Sequence, residues 1–136
     1  MNSKNLLLLV AVCLGCTAAA AESDSVGNKK LPAGAVLMCR QHVHGSSDKP
    51  MHIDWQAFGL NEDRERIKHF YQAQFGQPPT REDAQSYTWI FEGKQNELHY
   101  SVRTPSANGP WAACSIQATN FEVIVLISNA SWPKGR

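Results

Sequence analysis

The chain lacks most of the motifs that would name a chemistry. No glycine-rich phosphate cradle is present, and no nucleophile elbow surrounds any serine. Beyond residue 21 no run is long or apolar enough to cross a bilayer, so a membrane is reached only through a lipid anchor. Basic residues do not cluster. Lys29-Lys30 is the one basic doublet, and 13 Lys and Arg stand against 12 Asp and Glu. Loss of Lys4 with a leader makes the remainder formally neutral, which argues against a nucleic-acid partner. Repeats and low-complexity tracts are absent too. Cysteine is scarce, at four residues, and two of those lie within the first 21.

Those first residues form a targeting signal over 1–21. Lys4 is its positive end, and Leu6 to Leu14 is an apolar stretch too short to span a membrane. Two processing sites compete. Ala19-Ala20-Ala21 before Glu22 fits ordinary secretory cleavage. Leu14-Gly15-Cys16 resembles a bacterial lipoprotein box, with the signal ending at residue 15 and Cys16 carrying the lipid, although Cys13 stands where such boxes carry Leu. Either route points to export, to the periplasm or beyond it, free or membrane-anchored. Both leave Cys39 and Cys114, and an even pair in an oxidising compartment reads as a disulfide.

Residues 22–34 are polar and rich in Ser, Asp, Gly, Asn and Lys, so composition assigns them to a flexible linker. One domain is expected over 35–132, with a tail over 133–136. Its organising element is a helix over 61–76. Asn61 is the expected N-cap, and Ile67, Phe70, Tyr71 and Phe75 form one apolar stripe. Gly76 closes the helix, and Pro78-Pro79 prevents continuation. Strands are expected over 35–44 and 51–59, with Ile53, Trp55 and Ala57 inward on the second. Ser86–Glu92 and Glu97–Thr104 read as an aromatic-rich hairpin, and 121–128 as a central strand buried on both faces. A further edge segment is expected after the helix, where prolines confine pairing to a sheet edge. The fold class is therefore α+β, a mostly antiparallel sheet of about five strands with one long helix packed on one face. The opposite face would then be free, and function is sought there.

Three histidines supply the sharpest chemical signal. His42 and His44 share one face of an extended strand, and a hairpin through 45–50 brings His52 beside them, with Asp54 two residues on. Three imidazoles and a carboxylate suit zinc or another divalent transition metal. His52-Ile53 opening a strand, followed by a helix carrying Phe70-Tyr71 and Phe75-Gly76, resembles one strand–helix–three-strand module of the vicinal oxygen chelate (glyoxalase-like) superfamily. The resemblance covers residues 52–104 at most, and Phe75 replaces that family's usual Leu. It implies that the first-strand histidine binds metal and that two modules share one site.

No carboxylate pair with acid–base spacing appears, and Ser46-Ser47 beside His44 lacks a catalytic frame. Of the four tryptophans, Trp55 and Trp89 belong to inward faces, whereas Trp111 and Trp132 lie near loops where one of them would line a groove. With no catalytic constellation, the sequence favours a non-enzymatic binding or accessory protein whose partner is an envelope protein or a small ligand. The alternative is a metal-binding protein or metal-dependent enzyme centred on the histidines.

Overall fold

Five apolar residues in succession, Val123 to Ile127, need cover on two sides, and the architecture supplies it. The computed structural model describes residues 22–134. Its elements are β1 (Val36–Val43), β2 (His52–Leu60), α1 (Arg64–Phe75), β3 (Arg81–Glu82), β4 (Ser86–Glu92), β5 (Asn96–Arg103) and β6 (Val123–Ser131). One antiparallel sheet joins the six strands in the order β1-β2-β6-β5-β4-β3. The sixth strand is the two-residue edge β3, just after the prolines. The central strand begins two residues later than its apolar run suggested and continues to Ser131, because β2 and β5 both pair with it that far. The early signal and residues 135–136 fall outside the described residues, as does Cys16.

One face of the sheet meets α1. Val123, Val125 and Ile127 alternate onto it with Phe58 and Leu60 of β2, Tyr100 and Val102 of β5, and Tyr87 and Trp89 of β4. Ile67 and Tyr71 are the buried residues of the helix, while Phe70 and Phe75 pack half-buried at the margin. Tyr71 sits among rings, 5.6 Å from Tyr100 and 5.5 Å from Phe75 between centroids. Its hydroxyl is buried without a hydrogen-bond partner, and burial pushes the phenol above its ordinary titration range. The helix starts later than Asn61. Asp63 is the N-cap, because its backbone is extended and its carboxylate accepts from Glu65 N–H at 3.4 Å. Gly76 adopts φ 69° as expected, and its N–H donates to Gln72 O.

Residues 22–34 are not a flexible linker. Leu31 belongs to the helix-side core, and Asp24 is only 2 % exposed. One oxygen of Asp24 accepts from the N–H groups of Val26, Gly27 and Asn28. The other accepts from Lys29 N–H at 3.0 Å and the Tyr100 hydroxyl at 2.8 Å. A polar composition averages away this effect, since one carboxylate satisfies the whole turn. Gly27 is required there, because a Cβ would overlap the Tyr100 side chain. Gln74 of α1 holds Lys30 in both directions, its oxygen accepting from Lys30 N–H and its amide donating to Lys30 O.

The second face is not free either, over half its width. Met38, Ala57 and Ile124 are buried beneath Trp111 and Ala118, with Trp55, Ile116, Phe121 and Leu126 packed around them. Trp111 and Ala118 belong to two single-turn 3-10 helices, Pro110–Ala113 and Ala118–Asn120, in the connection between β5 and β6. Cys114 bridges this connection to Cys39 of β1, with 5.5 Å between Cα atoms. β2 therefore has no single inward face: Ala57 is buried on one side, and Gln56, Phe58 and Leu60 on the other. Beyond this cover, Ser86, Thr88, His99 and Ser101 floor a polar concavity on the β4–β5 side.

Three stability measurements test this arrangement. Asp24→Ala is expected to cost about 2–5 kcal/mol in a urea melt by orphaning buried donors, whereas the exposed loop variant Asp48→Ala stays within about 0.5. A linker would tolerate both equally. Tyr71→Ala costs roughly 3–5 kcal/mol and half-buried Phe70→Ala less, while Tyr71→Phe is neutral or stabilising because it removes an unpartnered hydroxyl. Loss of stability in Tyr71→Phe contradicts that account. Non-reducing peptide mapping should recover Cys39 linked to Cys114, and replacing either costs about 2–5 kcal/mol.

Candidate metal centre

Strand pairing builds the histidine cluster. β1 and β2 form an antiparallel hairpin in which His42 lies opposite Asp54 and Val43 opposite Ile53. Alternation then sets His42, His52 and Asp54 on one side of the sheet, the side that carries α1. The connecting loop folds back through Lys49 N–H, which donates to Ser46 O at 3.2 Å, and Met51 N–H, which donates to Lys49 O at 2.7 Å. This turn returns the chain within reach of His44.

One nitrogen from each of His42, His44 and His52 lies within 4.8 Å of the others. Ring centroids are separated by 4.1 Å for His42–His44, 5.9 Å for His42–His52 and 5.7 Å for His44–His52. His42 Nδ1 is hydrogen-bonded to Asp54 Oδ1. An ionised carboxylate only accepts, so Nδ1 is the donor in that bond and the lone pair is left on Nε2. That Nε2 stands 3.2 Å from His44 Nδ1. Two nitrogens each about 2.0–2.1 Å from a tetrahedral zinc are themselves about 3.3 Å apart, so the pair already has ligand spacing. The third imidazole, His52, is half-buried, and its Nδ1 is buried with no hydrogen-bond partner. An imidazole that carries an unsatisfied buried nitrogen, packed beside two other imidazoles, is one that a cation could relieve.

Asp54 takes a different part from the one composition suggested. It stands behind His42 and fixes the tautomer and orientation of that ring, as carboxylates do behind metal-bound histidines. Three imidazoles would then form the donor set, and a tetrahedral ion held by them would keep a fourth position open.

Other polar residues have structural partners. Ser46 caps its own loop through Lys49 N–H. Glu65 accepts from the Tyr87 hydroxyl, which holds its carboxyl below the ordinary range. Asp83 accepts from Gln85 and Ser86 N–H groups, and its carboxyl is lowered chiefly by the bond from Gln85. Trp111 is core, with its indole N–H donating to Ser106 O at 2.7 Å. Trp132 does line a groove at the β1–β2 loop, with Val43, His44 and Met51. His99, unmarked in the sequence, pairs with Glu97. Its two-residue spacing from Glu97 on one strand was the available signal.

The span 52–104 of the glyoxalase-like resemblance holds β2, α1, β3, β4 and β5, and the strand that joins β2 to β5 in the sheet, β6, lies outside it. Comparison with known proteins finds no matching family model, no matching curated protein and no matching solved structure, so the resemblance assigns no family.

Proposed function

We propose that this is an exported metal-binding protein whose ion is held by His42, His44 and His52. The observation that carries it is the His42–His44 nitrogen pair at ligand spacing, with Asp54 bonded behind it. Zinc suits three imidazoles without a thiolate, and copper(II) or nickel(II) share the preference for imidazole nitrogen. The disulfide supports an oxidising compartment, in line with the N-terminal signal. Among the described residues no helix is long and apolar enough to cross a membrane. Recognition of an envelope partner through a bare sheet face has less to stand on, because the β5–β6 connection occupies half of that face.

Binding is the function claimed. With His42 and His44 exposed, an ion held there is within reach of solvent and other ligands, which favours an exchangeable site over a buried structural one.

Equilibrium dialysis of chelator-stripped protein against zinc, with elemental analysis, tests the proposal. The wild type should retain a single ion per chain. His42→Ala and His44→Ala should each lose most of that affinity, and Asp54→Asn should weaken it by about 10–100-fold because the carboxylate no longer orients the His42 ring. Equal retention by the wild type and a His42→Ala/His44→Ala/His52→Ala variant overturns it.

A further inference from the structure

The half of the second face that the β5–β6 connection leaves uncovered carries a polar concavity of about 250 Å³. Alternation builds it. Tyr87 and Trp89 turn toward the helix, so Ser86 and Thr88 of β4 turn the other way, with Arg103 and Ser101 of β5 directly opposite them. Arg81 of β3 lies opposite Thr88 on the other flank, and therefore points to the same side. β4 thus has an arginine on each flank, and both line the concavity. Strands lie about 4.8 Å apart and the two register positions differ by two residues, so the two arginine Cα atoms are roughly 12 Å apart. Two arginine side chains reach across that distance to one bound group.

The floor is made of hydroxyls. Thr88 Oγ1 and Ser101 Oγ share one hydrogen bond at 3.0 Å, and Ser101 is only 7 % exposed. Two hydroxyls carry two protons and this bond uses one, so one O–H is left to donate. Ser128 of β6 adds a further hydroxyl to the lining, opposite His99.

The carboxylates nearby are already committed, and the guanidiniums are not. Asp83 accepts from the N–H groups of Gln85 and Ser86 and from the Ser86 hydroxyl, closing its own turn. The bond from Gln85 does most to keep that carboxyl low, and the charge of Arg103 does least. Glu97 is bonded to His99. No ion pair engages Arg81 or Arg103 among the described residues. Arg103 lies instead over the Trp111 ring, 5.5 Å from its centroid. Trp111 is buried in the cover, so this guanidinium is placed before any ligand arrives.

We infer that this concavity binds the oxyanion of a small ligand, a phosphate, sulfate or carboxylate group held between Arg81 and Arg103 over the Thr88–Ser101 hydroxyl pair. Guanidiniums match such groups in shape and charge, and the hydroxyls serve the remaining oxygens. Ordinary small-molecule sites occupy roughly 300–1,000 Å³, so this smaller one admits a single compact group. It lies on the opposite face of the sheet from His42 and His52 and does not depend on metal.

Metal-free protein provides the test, so that no ion recruits the anion. Phosphate, sulfate and acetate are titrated separately at constant ionic strength, with chloride as the balancing ion, and backbone amides are followed by NMR. At least one anion should shift the amides of Arg81, Thr88, Ser101 and Arg103 saturably. Arg81→Gln and Arg103→Gln should each weaken that binding about tenfold or more, while Arg40→Gln on the far edge strand leaves it unchanged. Arg103→Gln also removes the contact on Trp111, so the exposed Arg81→Gln decides where Arg103→Gln fails to fold. Phosphate and sulfate acting alike mark a tetrahedral oxyanion, and acetate acting alone marks a carboxylate; both support the inference. Absence of saturation with all three anions overturns it, and so does equal affinity in wild type and Arg81→Gln. Neither result bears on the histidine centre, whose own test is zinc retention.

Discussion

Two-sided burial of β6 is the constraint on which the fold depends. A strand with Val123, Val125 and Ile127 on one side and Ile124 and Leu126 on the other cannot lie at an edge, nor under one layer. It must be flanked by strands and covered above and below. α1 supplies the first cover with a regular amphipathic stripe. The second cover is the irregular connection from β5, and irregular chain needs fixing, because little repetitive hydrogen bonding holds it. The Cys39–Cys114 bridge ties it to β1, and buried Trp111 anchors its first turn. Disulfide, tryptophan and 3-10 turns thus serve one requirement.

How far the sequence discloses this depends on periodicity. Tyr87, Trp89 and Phe91, and then Leu98, Tyr100 and Val102, alternate without exception, and that hairpin is legible. So is the helix, because Ile67 and Tyr71 are a turn apart and Gly76 ends it. The cover on the second face is not legible in the same way. Trp111, Ile116, Ala118 and Phe121 follow neither a two-residue nor a 3.6-residue period, so no pattern reveals that they converge. Residues 22–34 were hidden by averaging. Their composition is that of a tether, and a single carboxylate making local and long-range bonds reverses the conclusion.

The histidine cluster was legible for a simple reason. Two residues on a strand share a face, and a hairpin returns the chain to the same place, so His42, His44 and His52 are brought together by topology alone. The division of labour among them was hidden. Whether Asp54 is a ligand or an orienting group depends on register, and it lies directly opposite His42 rather than beside His44.

The contact between Asp24 and Tyr100 spans 76 positions. Its acceptor precedes all six strands and its donor follows four of them, so this bond closes late. During synthesis or export the Asp24 carboxylate lacks its Tyr100 partner until β5 has been made, although Ser25 can meet Gln56 of β2 and Lys30 can meet Gln74 of α1 before then. The N-terminal turn is therefore completed in steps, and its last bond waits for a strand made long after it.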